Sequence, residues 1–285
     1  MGGDQAAGPA GATQAPRRPE LQPLTGDDPV LLEQRGAIAL VTLNRPSVLN
    51  AMNTAMSVSL GEVLDEVAER ASVRVVVVTG AGDRAFSSGA DLAERQGMTP
   101  EEWTRQHRVF ERSAHRLRGL RKPVFAAVNG VAVGGGCEIA MGTDFIIAAE
   151  HARFGQPEVT RGIIPGTGGT QLLPRYLPRG LAFQLLMTGE LISAQEAHRW
   201  GLVNSVWPAG ELMAAAMRLA ERIAANSPAA VQQAKRAARM GLELPLEAGI
   251  EAEIECYQRL VDHPDRLEGV DAFNQRRQPV FRDAP

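Results

Sequence analysis

Lys122-Pro123-Val124-Phe125-Ala126-Ala127-Val128-Asn129-Gly130-Val131-Ala132-Val133-Gly134-Gly135-Gly136-Cys137-Glu138 holds two patterns back to back. Residues 122–129 are apolar without in/out alternation, as in a strand buried on both faces. The second half is built of small residues and runs through Gly134-Gly135-Gly136 into a short helical pattern. Glycines allow another group to approach the main chain closely. The free N–H groups at a helix start point outward and favour negative charge. Glu138 falls in the first turn of that helix. The helix dipole alone favours an acid there, so position leaves Glu138 open between a structural and a chemical role.

Outward from this stretch the same pattern recurs. Residues 37–43 are apolar and β-branched and predict a strand, which Asn44-Arg45-Pro46 breaks. A helix is expected from about Asn53, a good N-cap, with Met56, Leu60, Val63, Leu64 and Val67 on one face. The valine run at 74–79 predicts a second buried strand, residues 80–90 a loop, and residues 145–149 a further strand. Strands alternating with helices indicate βα units around a mainly parallel sheet. Ser193-Ala194-Gln195-Glu196 is a capping box opening a helix that ends near Gly201. A short strand at 202–207 and helices at 210–225, 228–240, 246–261 and 265–276 complete the chain. This gives a tail at residues 1–28, an α/β core at 29–225 and a helical region at 226–285, the last suited to oligomerisation. The tail is rich in Gly, Ala, Pro and Gln. It lacks a signal peptide's basic start and apolar core and is expected to be disordered.

The chain has 285 residues, 44% hydrophobic and 22% charged, enough to bury a sizeable core. Its net charge of −3 argues against a dedicated nucleic-acid binder. Lys122 and Lys235 are the only lysines, so a bound phosphate would be met mainly by arginine. No apolar run is long enough to span a bilayer. Cys137 and Cys256 make no disulfide framework, and a reduced, cytoplasmic setting is the expectation. The five histidines show no metal-ligand spacing. Gly80-Ala81-Gly82-Asp83-Arg84-Ala85 fits a loose dinucleotide pattern, but loop chemistry follows where a helix should open. Ser87 and Ser88 do not sit in a nucleophile elbow.

Two further segments pair small residues with polar ones. Phe86-Ser87-Ser88-Gly89-Ala90-Asp91-Leu92 follows a strand, as the glycine stretch does. Two such loops on neighbouring strands would aim two N–H groups at one oxygen, which is an oxyanion hole. Phe154-Gly155-Gln156-Pro157-Glu158 supplies a second carboxylate. It reads either as a solvated loop acid or, with Glu138, as a general acid–base pair.

These motifs, in this order, resemble the enoyl-CoA hydratase/isomerase (crotonase) family. The likeness runs from about Glu33 to Arg282. It includes Leu43-Asn44-Arg45-Pro46 with Leu49-Asn50-Ala51, Ser88-Gly89-Ala90-Asp91-Leu92, the glycine stretch through Glu138, Phe154 to Glu158, Gly162-Ile163-Ile164-Pro165-Gly166, and the segment from Ala272-Phe273 to Val280-Phe281. The resemblance implies an α/β fold of the ClpP/crotonase type, a spiral of ββα units with a helical C-terminal region. It implies an acyl-CoA thioester whose carbonyl rests between the N–H groups of Ala90 and Gly135, with Glu138 and Glu158 as the hydratase acids. Ser47, Val48, Ala51, Ser88, Ala90, Asp91, Leu92, Gly134, Gly135, Pro157 and Gly166 stand where relatives hold substrate and CoA. The implied reaction is reversible addition of water to a 2-enoyl-CoA, as in fatty-acid metabolism, with no metal or other cofactor. Isomerisation, hydroxyacyl-CoA dehydration and thioester hydrolysis are sister reactions, and a non-catalytic RNA-binding member is the rival of another class. Relatives are typically trimers or dimers of trimers. Ala93 departs from the family, since many relatives carry Lys there. The CoA-phosphate contact is then either lost or taken by an arginine such as Arg95. Residues 93–117 are expected to shape the acyl-tail pocket, with Met98, Trp103 and Phe110 either lining it or packing in the core, the commoner place for such side chains.

Overall fold

The computed structural model describes residues 28–282. The tail expected at 1–28 therefore lies, apart from Asp28, outside the described residues. β1 (Val30–Arg35) turns at Gly36 into β2 (Ile38–Leu43), its antiparallel partner. Gly36 takes φ +58°, a conformation glycine adopts without steric cost. α1 (Thr54–Glu69) starts where the sequence predicts, with the Asn53 side chain accepting from Met56 N–H at 2.9 Å. Next come β3 (Val75–Gly80), β4 (Ala85–Ser87), α2 (Leu92–Arg95) and α3 (Pro100–Gly119). β5 (Val124–Val128), β6 (Val131–Val133) and α4 (Gly135–Met141) follow. After β7 (Phe145–Ala149) and β8 (Arg153–Gly155) come α5 (Gly169–Tyr176), α6 (Arg179–Thr188), β9 (Leu191–Ser193), α7 (Ala194–Arg199) and β10 (Ser205–Trp207). α8 (Leu212–Ala224), α9 (Pro228–Gly241), α10 (Leu246–Val261) and α11 (Pro264–Asn274) close the chain.

There are two sheets, of six strands in the order β1-β2-β3-β5-β7-β10 and of four in the order β4-β6-β8-β9. The chain visits them in turn: β3 then β4, β5 then β6, β7 then β8, each pair followed by helix. This is the spiral of ββα units that the resemblance implies. The loop expected at 80–90 contains β4, and β1, β6, β8 and β9 carried no clear strand signal. β4, β6, β8 and β9, of three residues each, show too little alternation to be read from pattern and are held by their neighbours in the sheet, while β1 turns polar at Glu33-Gln34-Arg35 after an apolar start.

Buried valines explain the missing alternation in the large sheet. Val76 and Val78 of β3 join one core with Val41, Leu43, Leu60 and Leu64, while Val75 and Val77 face a second core against Leu212 and Ala216 of α8. Alternate residues point to opposite faces, and both faces are covered. The helical C-terminus is tied to this core through Asp144, which accepts from Lys235 Nζ at 2.8 Å and Arg239 Nη2 at 2.7 Å.

Parallel register in the small sheet positions the site. Ser87 of β4 lies opposite Ala132 of β6, and Ala132 opposite Phe154 of β8. Adjacent strands stand about 4.8 Å apart. The segments leaving the ends of these strands, at Ser88, Gly134 and Gln156, must therefore emerge side by side.

Candidate active site

The loop after β4 is pinned by residues whose motif was legible but whose task was not. Asn50 is fully buried, and its amide donates to the carbonyls of Ala81 and Ala85 at 3.0 and 2.8 Å. Ser87 Oγ donates to the Asn50 carbonyl at 2.8 Å. Arg45 Nη1 donates to Ala51 O at 2.6 Å and to Asp91 Oδ2 at 2.8 Å. Met52 brackets the next residue, its N–H donating to Gly89 O at 2.7 Å and its carbonyl accepting from Asp91 N–H at 2.9 Å. Ala90, between them, is held on both sides. Among the described residues its own N–H, like that of Gly135 at the start of α4, is given to no protein acceptor.

Close approach explains the glycines. A Cβ on Gly136 would stand 2.2 Å from the Ser87 carbonyl oxygen, and one on Gly89 2.9 Å from that of Val133. Only bare backbone lets the two loops meet. Gly134 takes φ +54°, and a Cβ there would come within 3.1 Å of Glu158 Oε1. The second carboxylate thus lies over the glycine loop that leads into α4. Glu138 and Glu158, twenty positions apart in sequence, thus line one cavity.

That cavity, about 1030 Å³, is lined by Ser88, Ala90, Leu92, Gly134, Gly135, Glu138, Pro157, Glu158 and Gly166 among others. Ser47, Val48, Ala51 and Asp91 are not among its lining residues. Ser47 and Val48 stand in a short 3₁₀ turn at Pro46–Val48, with Val48 exposed. Asp91 caps α2 and pairs with Arg45. Trp103 and Phe110 do line the cavity. Arg95, expected as a free cation for a phosphate, is only 8% exposed and stacks on Trp103, its guanidinium carbon 4.2 Å from the ring centre. Packing of α3 over α2 turns it inward.

The two acids are held unlike each other. Glu138 is buried at 4% exposure. Oε1 accepts from the N–H groups of Thr167 and Gly169, and Oε2 from Thr167 Oγ1, each at 2.7 Å. A carboxylate offers about four acceptor sites, so one direction on Oε2 stays open. The sequence reading missed Thr167, although it adjoins the quoted Gly162–Gly166 motif. Glu158 sits in the 3₁₀ turn Pro157–Arg161. Burial, reinforced by the charge of Glu138 and opposed by the group's own backbone hydrogen bond, pushes its carboxyl up to about 7. Gln156, fully buried, donates its amide to both Glu158 oxygens at 3.0 and 3.2 Å when Nε2 faces them. Cys137 lies behind the glycines, and burial pushes its thiol up to about 12. It is an inert filler. Among the described residues no group of three or more His, Cys, Asp or Glu stands together as a metal site would need.

Fold and cavity together define the class: an α/β protein whose small-residue loops face a carboxylate pair. The family model described as enoyl-CoA hydratase/isomerase matches residues 33–284. The short-chain-enoyl-CoA hydratase of Clostridium acetobutylicum is 42% identical over 248 residues, covering 87% of this chain and 95% of its own. The crotonyl-CoA hydratase of Syntrophomonas wolfei is 38% identical over 252 residues, 88% of this chain and 97% of that one. The crystal structure of an enoyl-CoA hydratase from Bacillus anthracis superposes with a TM-score of 0.88 at 40% identity, covering 90% of this chain and all of that one. The chain belongs to the enoyl-CoA hydratase/isomerase family, and it is an enzyme.

Proposed function

We propose that this enzyme is an enoyl-CoA hydratase, adding water reversibly across the α,β-double bond of a 2-enoyl-CoA to give the 3-hydroxyacyl-CoA. The observation that carries the reading is the pair of differently held acids lining one cavity with two unpaired N–H groups. The thioester carbonyl rests between the N–H groups of Ala90 and Gly135. Attack of water at Cβ moves charge onto that oxygen, and one such donor contributes about 3–4 kcal/mol at the transition state. Glu138, fixed by three donors with one acceptor site left, takes the proton from water. Glu158, whose carboxyl is raised to about 7, is well matched to deliver a proton to Cα near neutral pH. The thioester is the electron sink, so the reaction asks for no metal or redox cofactor, and CoA enters as part of the substrate.

Association into trimers or pairs of trimers goes with this reading. It is supported by the apolar side chains left open on the C-terminal helices, such as Leu246, Tyr257 and Phe273, the last 83% exposed. A reduced, cytoplasmic setting agrees with two buried, unbonded cysteines. No helix among the described residues is long and apolar enough to cross a membrane.

The test is loss of enoyl-thioester absorbance from crotonyl-CoA. The wild type is expected to consume it, and Glu138→Gln to be about 10²–10⁴-fold slower while still binding the ester. Equal rates in the two would sink the acid–base assignment. Ester binding with conversion to an isomer or free CoA would move the enzyme to a sister reaction.

A further inference from the structure

The cavity's far wall carries a charge that the chemistry above does not use. Apart from Glu138 and Glu158, the ionisable side chains lining the cavity are basic: Arg95, His107 and Arg161. Arg95 is the most enclosed of them. Its guanidinium lies against Trp103 and within 5.3 Å of the Phe110 ring centre. Its Nε donates to Gln106 Oε1 at 2.8 Å. Gln106 is itself buried and passes its amide to Glu94 Oε2 at 2.6 Å and to Thr54 Oγ1 at 3.0 Å. The Glu94 carboxylate also accepts from Thr54 N–H at 2.9 Å, so it is engaged elsewhere. Among the described residues Arg95 forms no ion pair, and Nε is the only one of its nitrogens with a hydrogen bond to protein. Burial disfavours its charge, opposed by the nearby Glu94 carboxylate.

A buried cation whose nearest carboxylate, Glu94, reaches it only through Gln106 is costly. Two aromatic rings and a relayed glutamine hold this one in a fixed pose, with its terminal N–H groups left for whatever fills the cavity. A guanidinium presents a planar fork that matches a carboxylate. A purely hydrocarbon tail pocket has no use for one.

We propose that Arg95 reads the distal end of the acyl chain, and that the preferred substrate is a 2-enoyl-CoA whose acyl chain ends in a carboxylate. The inference rests on the hydratase reading and narrows it to a substrate class. Trp103 and Phe110 pack along the chain and hold the fork, while Arg161 adds a second positive charge to the lining.

The test compares kcat/KM for glutaconyl-CoA, which carries a terminal carboxylate, with that for crotonyl-CoA, which does not, in wild type, Arg95→Gln and Arg95→Lys. Each protein's ratio of the two cancels any general loss of folded enzyme. The wild type is expected to favour the carboxylated ester about 10- to 100-fold, the span of a hydrogen bond to a charged group. Arg95→Gln should bring the ratio close to one, through a rise in KM for glutaconyl-CoA, and Arg95→Lys should fall between. Should Arg95→Gln not fold, the lysine variant alone carries the comparison. A wild type that favours crotonyl-CoA, or a carboxylate preference that survives both substitutions, overturns the proposal and leaves the hydratase reading standing. Failure to hydrate either ester removes the hydratase reading and this inference with it.

Discussion

Glu138 and Glu158 face the same cavity from two supports of different character. Glu138 stands on a helix start, buried, with three donors fixing both oxygens. Glu158 stands on a 3₁₀ turn, partly exposed, with Gln156 as its facing amide and a carboxyl raised to about 7. Identical side chains thus meet opposite surroundings. Donors aimed at a carboxylate hold it as an oriented acceptor, whereas burial beside another acid favours the protonated form.

The hardest test of that contrast is to remove the second acid. Glu158→Gln should lower kcat about 10²–10⁴-fold, and the pH dependence of wild-type kcat/KM should explain why. A carboxyl raised to about 7 is protonated below that pH and ionised above it. If it donates the proton, hydration is full on the acid side and falls about tenfold per pH unit above 7. A rate that instead rises through pH 7 would exchange the roles of the two glutamates.

Gly136→Ala probes the loop contact that both acids depend on. Its Cβ would lie 2.2 Å from the Ser87 carbonyl oxygen, so β4 and α4 must part. A stability loss of about 1–3 kcal/mol with activity near background is expected, read by thermal melting beside the crotonyl-CoA assay. Thr167→Val is milder. It removes one of three donors to Glu138, so kcat should fall about tenfold, in line with a charge-assisted hydrogen bond of about 1.5 kcal/mol. KM should change little. A drop as deep as that of Glu138→Gln would mean that Thr167 does more than orient.

The smallest effect is on stability. A carboxyl whose folded pKa is raised from 4.5 to about 7 binds more protons folded than unfolded between those values. Folding stability therefore falls as pH rises through that window, and the whole penalty is present above 7. It amounts to about 3 kcal/mol before solvent screening and about 1 kcal/mol after it. Glu158→Gln should melt higher than wild type at pH 8 and no higher at pH 4. Equal melting at both would mean that the carboxyl is not strained by its site.

Much of this was legible in the chain. The strands at 37–43 and 74–79, the Asn53 cap, the Ser193–Glu196 box and the C-terminal helices follow from signals within a few residues of each other, and the structure keeps them. The motifs also gave the family. They did not show that Asn50, Arg45 and Asp91 hold the β4 loop in place.

By itself, the sequence determined what is local: which segments are buried on both faces, where helices begin, and that glycines clear the way for a close approach before Glu138. Tertiary structure alone decided what those glycines approach, that Glu158 lies over Gly134, and that Arg95 turns inward onto Trp103. The reason is physical. Three-residue strands take their place from parallel neighbours, not from their own pattern, and a side chain's charge state and partners depend on groups that the fold, rather than the chain order, brings within a few ångströms.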